Sequence, residues 1–478
     1  MSQDIKYKLP KEIEAFTNLD SSFIEFEHFE VDPEERQHAI SRFIEGLDYT
    51  PTFDYPRLNK LYDVDEDSLE DDKRTFSEKK SEAWNAVLEL EANKESGVKN
   101  EDEFQLIAGF HEYRLKRMML VEAARDMMYA DNSASQVTAR KEFMSLNREL
   151  FGEINEDAFS RIMNSENARI LEFIPIDENA KSIKEYLTRY FSDKSFEKKE
   201  SEILSIETLT DLGRIIRNKY ASLLEPLPIT DDSIVYNAEE CKNFLQASLD
   251  RFGLGKKGWI AQINPRRLVP VTSQDSKEIS IPSDTSRTAN QLTRLDIHEA
   301  GVHALRGQNG EETGFNVLKE GTANYSDAEE GLAVLFECAI EGDFNNDSFT
   351  RARDRYITAG LAFGTDGIPK DARKTFEILW RIIAIRESSG KIGEDLESYA
   401  KNRAVSHIEN AFRGTNYAMP GIIYTKLKVY YEGLLKNGKF IEKNKADIGR
   451  ALEMIMLGKY DHTDTDELNR VKRLLKIK

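Results

Sequence analysis

The sequence predicts a mostly helical α+β fold with a small β-sheet set directly before a histidine-bearing helix. Apolar residues recur at a 3.6-residue period from about residue 66 to 222, and helical patterning returns from Ser348 to the end. Between these regions lie three short, turn-bounded strand candidates, Trp259–Pro265, Leu268–Thr272 and Glu278–Ile281. A capped helix carrying His298 and His303 follows the strands at once.

The 478 residues suffice for one large core or two to three smaller ones. We divide them into an extended N-terminal arm (1–62), a helical region (63–228) and a core with C-terminal helices (229–478). Hydrophobic content of 40% and charged content of 32% fit a soluble globular protein. No run approaches the ~20 apolar residues a membrane span needs, so no membrane partner is expected. The N-terminal residues lack an apolar h-region, which argues against a secretory signal. Cys241 and Cys338 are the only cysteines, which argues against a disulfide framework and makes a reducing cytoplasm the default location. The net charge of −19 argues against nucleic acid as a partner, because phosphate neutralisation needs clustered Lys and Arg. It also disfavours strongly acidic substrates unless the cleft is locally basic.

In chain order, the segment Tyr49 to Pro56 reads as extended, since Pro51 and Pro56 push the residues before them out of the helical region. Its aromatic side chains would pin it to the body. The acidic run Asp63 to Asp72 reads as a solvated linker. Helices are predicted over Ser77–Glu95, Asp102–Met128, Ala139–Phe151, Glu156–Met163, Ile183–Tyr190 and Leu209–Leu224. Pro226 and Pro228 stop the last of these. Ser233–Tyr236 reads as a short strand and Ala238–Arg251 as a helix closed by Gly253. Thr288 and Gln291 have capping-box spacing, so a helix should start near Ala289, with Gly307 as its C-cap. Ser326 and Asp327 would cap a further helix, with Glu329 in its first turn. Residues 414–421 interrupt the C-terminal helices, and Asp461–Asp466 forms a late loop.

The chemistry concentrates in His298-Glu299-Ala-Gly-Val-His303 and in Glu330, 27 residues further on. Two imidazoles and a distant carboxylate form a ligand set suited to one zinc ion, and Glu299 suits a base acting on water. The five-residue spacing is demanding, because five residues turn an ideal α-helix by roughly 140°. Both rings can meet one ion only if the helix widens locally, as a π-type turn does, and Gly301 would ease the distortion. Glu337, seven residues after Glu330, could orient a ligating histidine through its free ring nitrogen. A sheet leading into such a helix is a zincin-like arrangement.

The motif HEAGVH followed by AEEGLA resembles the QEGLA-motif proteins, also labelled flavohaemoglobin expression modulators, a family that includes the microtubule-associated tyrosine carboxypeptidases. Similarity extends to Asn264-Pro265, Asn309-Gly310, Phe412 to Thr415 and Ile423 to Tyr430, and less specifically to the Tyr49–Pro56 arm. The resemblance implies a zinc carboxypeptidase with His298, His303 and Glu330 as ligands and Glu299 as general base. Its substrate would be the C-terminal tail of a protein or peptide, ending in an aromatic, tyrosine-like residue. Such an enzyme needs a cation for the terminal carboxylate, and Arg413 is the first candidate because a guanidinium pairs with a carboxylate in two parallel bonds. Lys426 as charge anchor and Tyr424 as oxyanion donor come next, with Arg266 and Arg267 as rivals. His407 is read as an ordinary buried or surface histidine. Two alternatives stand beside this reading: another zinc hydrolase (an endopeptidase or amidase), and a metal-free helical regulatory protein. The natural substrate and the oligomeric state are left open.

Overall fold

The computed structural model describes residues 29, 31–62, 75–93, 101–130, 132–194, 196, 204–224, 234–265, 267, 269–344 and 346–477, with no side chains described at 91, 93 and 219–224. The expected linker (63–72), the proline stop (225–228) and Arg266 lie outside these residues.

The N-terminal part holds α1 (Pro33–Ile44) and the short α2 (Pro56–Asn59), followed by α3 (Phe76–Asn93) and α4 (Glu101–Tyr129). Then come α5 (Ser133–Phe151), α6 (Glu156–Glu172), α7 (Glu178–Ser192) and α8 (Ile206–Leu224). The arm is thus partly helical: Asp32 caps α1 by accepting from the N–H groups of Glu34 and Glu35. Buried Phe53 and Tyr55 fix the extended stretch after it, as expected, whereas Tyr49 is exposed.

The middle of the chain contains β1 (Val235–Tyr236), α9 (Ala238–Arg251), β2 (Ile260–Ile263), β3 (Val271–Ser273), β4 (Glu278–Ile281) and β5 (Arg287–Thr288). Two small sheets result: β1 pairs with β5, and β4 lies between β2 (parallel) and β3 (antiparallel). The capping box of Thr288 and Gln291 is present and starts α10 (Ala289–Asp296). That helix runs without a break through a π-helical turn, Ile297–Ala304, into α11 (Leu305–Glu312). Gly307 therefore sits inside a helix rather than ending one.

The remainder is helical: α12 (Asn316–Glu320), α13 (Tyr325–Glu341), α14 (Asp347–Phe363), α15 (Ala372–Glu387), α16 (Glu394–Phe412), α17 (Val429–Lys443), α18 (Ile448–Ile455) and α19 (Thr465–Leu474). The largest hydrophobic core draws on all three sequence regions, with Phe43, Met118, Phe159, Leu332, Tyr424 and Leu434 among its members. A smaller core joins α9 and the three-stranded sheet to the histidine helix through Leu245, Trp259, Ile279, Ala300 and Ala304. Fully burying a side chain such as Leu245 or Ile279 contributes about 1.5–3 kcal/mol. The π-turn gives Ile297 and Val302 to the large core and Ala300 and Ala304 to the small one. It is therefore clamped on two sides along the seam between them.

Candidate metal centre

The seam holds the two histidines. The Leu305 N–H reaches back to the Ala300 carbonyl, the i→i−5 bond that defines a π-turn. The wider turn brings the rings of His298 and His303 together, with centroids 4.8 Å apart. This is the local widening that the five-residue spacing requires. Gly301 is not needed there for space, since a Cβ would meet nothing closer than 3.9 Å.

Glu330 approaches from α13, its Oε2 standing 3.6 Å from His298 Nε2 and 3.9 Å from His303 Nε2. The three candidate ligand atoms lie within 4.8 Å of one another, and no other such group of His, Cys, Asp or Glu occurs among the described residues. Close helix packing sets this approach. A Cβ on Gly331 would come within 2.0 Å of the Gly433 carbonyl carbon, so α13 and α17 touch backbone to backbone next to the ligand. Burial alone would raise the Glu330 pKa, but the neighbouring His298 and the charge of His303 hold it down at about 2. For His298, burial opposes protonation and is outweighed by the carboxylates of Glu330 and Glu337, which raise its pKa well above the usual value.

Each imidazole is also held from behind. His298 Nδ1 lies 2.8 Å from Glu337 Oε1, and the Ser348 hydroxyl donates to the other oxygen of that carboxylate. His303 Nδ1 lies 2.9 Å from Glu329 Oε1. With each Nδ1 paired to a carboxylate behind it, both rings point Nε2 towards Glu330, the atom each would offer to a metal on giving up its proton. Two imidazoles and a carboxylate with anchored ring orientations form a donor set that fits zinc.

The role of Glu329 escaped the sequence reading, which places it only in the first turn of a helix capped by Ser326 and Asp327. The helix begins at Tyr325 with Asn324 at its N-cap in the left-handed region and no side-chain cap bond. Ser326 and Asp327 therefore fall inside the first turn, and Glu329 lies a turn further on, free to face His303. Its charge is balanced by the fully buried Arg306, which donates to it, and by Lys459 at 3.8 Å. Burial pushes the Glu329 pKa up, but the charges of Arg306 and Lys459 and the His303 contact bring it down to about 2. Arg306 also donates to the carbonyls of Ile455 (3.1 Å) and Tyr460 (2.9 Å), tying the C-terminal segment to the centre.

Glu299 is buried, and its Oε2 accepts a 2.6 Å hydrogen bond from the Thr272 hydroxyl on β3. Thr272 pairs with Ile279, a member of the small core, and directly paired residues share a face of the sheet. The strand therefore presents its hydroxyl to the histidine helix. A lone threonine in a three-residue strand carries no sequence signal for this role.

The substrate-side candidates are less uniformly placed. The Lys426 charge lowers the Glu330 pKa, so this half-buried lysine stands close to the metal triad. Arg413 donates to Asn410 Oδ1 at 2.9 Å, and its charge reaches the hydroxyls of Tyr55, Tyr417 and Tyr430. Tyr424 is fully buried in the large core, its ring packed edge-on against Phe29 and Phe151. Tyr430, at the end of the same stretch, is only half-buried. Burial raises its pKa, and so do the nearby charges of Glu330 and Glu299. Arg267 is half-buried beyond β2. His407 is buried beside Asp354, its Nε2 3.8 Å from Asp354 Oδ2, as expected of an internal histidine.

A convergent His/His/Glu set with an adjacent carboxylate defines the class of a candidate metal-dependent hydrolase site. The model of the family described as "Microtubule-associated tyrosine carboxypeptidase" matches residues 188–359, which contain the π-turn, all of α13 and most of α14. Over this stretch the chain is related to the tyrosine carboxypeptidases, in agreement with the resemblance carried by the HEAGVH and AEEGLA motifs. No curated protein and no solved structure matches the chain. Among the described residues no helix is long and apolar enough to cross a membrane.

Proposed function

We propose that the protein is a zinc-dependent carboxypeptidase that removes a C-terminal residue, tyrosine-like in kind, from a protein or peptide tail. The observation that carries this reading is the convergence of His298 Nε2, His303 Nε2 and a Glu330 oxygen within 4.8 Å of one another. The relation to tyrosine carboxypeptidases supports the exopeptidase part and a substrate with a C-terminal tail. On this reading the sheet and histidine helix form a zincin-like core.

When bound, zinc supplies Lewis-acid polarisation of the scissile carbonyl and acidifies a water molecule. His298, His303 and Glu330 would hold it, with Glu337 and Glu329 fixing the two rings. Glu299 takes up the proton of the attacking water and passes it to the leaving amine. The Thr272 bond to Glu299 Oε2 fixes the carboxylate and leaves Oε1 for that proton. Tyr430, whose pKa the Glu330 and Glu299 charges raise, is better placed than the core-packed Tyr424 to donate to the developing oxyanion.

The test is a peptide library incubated with the zinc-loaded protein and read by mass spectrometry. Loss of single residues from the C-terminus is expected. Internal cuts would instead favour an endopeptidase. Glu299→Gln should keep the zinc and lose turnover by a factor of about 10²–10⁴; full activity in that variant would remove the base assignment.

A further inference from the structure

We propose that Arg355 is the residue that receives the terminal carboxylate of the substrate. The inference rests on the carboxypeptidase reading and adds a specificity-determining residue to it.

Arg355 belongs to a group of arginines on α14 and its neighbours, and the others are paired with carboxylates. Arg351 reaches Asp347 at 2.6 Å, and Arg353 reaches Glu166 at 2.9 Å. Arg386 forks onto Asp354 at 2.7 and 2.8 Å. Arg403 divides itself between Asp354 and Asp347, each at 3.1 Å. Arg355 alone in this group has no carboxylate partner among the described residues. It is half-buried, and its Nε is buried with no hydrogen-bond partner. A guanidinium withdrawn from water without an anion is costly, whereas one awaiting a bound carboxylate recovers that cost on binding.

Its position suits that role. The guanidinium carbon lies 4.2 Å from the centroid of the Tyr430 ring. The Tyr430 hydroxyl in turn feels the charges of Glu330 and Glu299, so Arg355 stands one aromatic ring away from the candidate metal centre. Stacking covers the face of a guanidinium and leaves its in-plane N–H groups available, the geometry that pairs with a carboxylate through two parallel bonds. The other cations near the centre are already engaged. Arg413 donates to Asn410, and Lys426 is a point charge beside the ligand Glu330. Arg355 also lies inside the stretch matched by the carboxypeptidase family, whereas Arg413 and Lys426 lie outside it.

The experiment uses the full chain loaded with zinc and a matched pair of peptides, one ending in tyrosine with a free carboxylate and the other in tyrosine amide. The wild-type protein should strongly prefer the free acid. Arg355→Met should lower kcat/KM on the acid about 100-fold more than on the amide, the scale of a lost charged hydrogen-bond pair. Arg355→Lys should recover part of the loss. Zinc content and thermal unfolding monitor the fold, and if Arg355→Met does not fold, the acid-to-amide ratio of Arg355→Lys carries the test. An unchanged ratio, or an equal fall on both peptides, would overturn the assignment. A wild-type protein that releases no C-terminal residue from either peptide would instead overturn the carboxypeptidase reading, and this inference with it.

Discussion

The side-chain amide of Gln274 donates to the backbone carbonyl of His303 at 3.0 Å. The bond runs from the β3–β4 turn to the π-turn, and it passes through the space where a side chain at position 307 would stand. A Cβ on Gly307 would lie 1.8 Å from Gln274 Oε1. A glycine in a helix interior is thus retained at a local cost of about 1 kcal/mol, and the gain is a donor on a carbonyl of the candidate ligand residue.

Gly307→Ala should therefore weaken zinc binding about 10-fold even though alanine favours the helix, and Gln274→Ala should do the same. A double-mutant cycle on zinc affinity, read by chelator competition, should show strong coupling between the two. Additive effects would mean that Gln274 does not act through this contact.

Glu329 and Glu337 hold equivalent ring nitrogens, but their own surroundings differ. Removal of either carboxylate should weaken zinc binding 10–100-fold. Only Glu329→Ala also leaves the fully buried Arg306 without its anion, which should cost about 3–5 kcal/mol of stability in denaturant titrations. Equal stability losses in Glu329→Ala and Glu337→Ala would contradict this asymmetry.

The contact of Gly331 with Gly433 sets how closely α13, and with it Glu330, approaches the histidines. A Cβ on Gly433 would meet the Asp327 carbonyl oxygen at 1.9 Å, and backbone cannot swing aside. Gly433→Ala should destabilise the protein by about 1–3 kcal/mol or more through overpacking and lower its zinc affinity at the same time. Wild-type values for both would refute the close-packing account.

His407 gives a stability profile with a definite sign. Burial pushes its pKa down to about 3; Asp354 works against that, and Arg355, Arg403 and Arg351 reinforce it. Unfolded histidine titrates near ~6.5. Between these values the unfolded chain binds a proton that the folded chain does not. The contribution is intact above pH ~6.5 and is lost as pH falls towards 3. His407→Gln should reduce the drop in unfolding free energy between pH 7 and pH 5 by about 1–2 kcal/mol. An unchanged drop would show that His407 is not held neutral.

What was legible in the sequence was what local spacing encodes. The Thr288–Gln291 box marks a helix start, and two histidines five apart on one helix demand a widened turn, which is present. Contacts made only by packing left no such trace. Thr272 reaches Glu299 across a sheet-to-helix gap, Gln274 reaches His303 from a turn, and Arg306 ties Glu329 to residues near 455–460. Gly307 reads as a helix end because glycine is a local stop signal, but the tertiary contact with Gln274 overrides it. Glu329 reads as a first-turn residue because the helix start is misjudged by two or three residues, enough to change which way a carboxylate faces.

The central claim is that His298, His303 and Glu330 hold one zinc ion, and metal analysis of the purified full chain tests it most directly. The account predicts one equivalent of tightly held zinc in the wild-type protein and in Glu299→Gln, and loss of that zinc in His298→Ala, His303→Ala and Glu330→Ala. A folded wild-type protein that takes up no zinc, or one that keeps it in all three ligand variants, would contradict it.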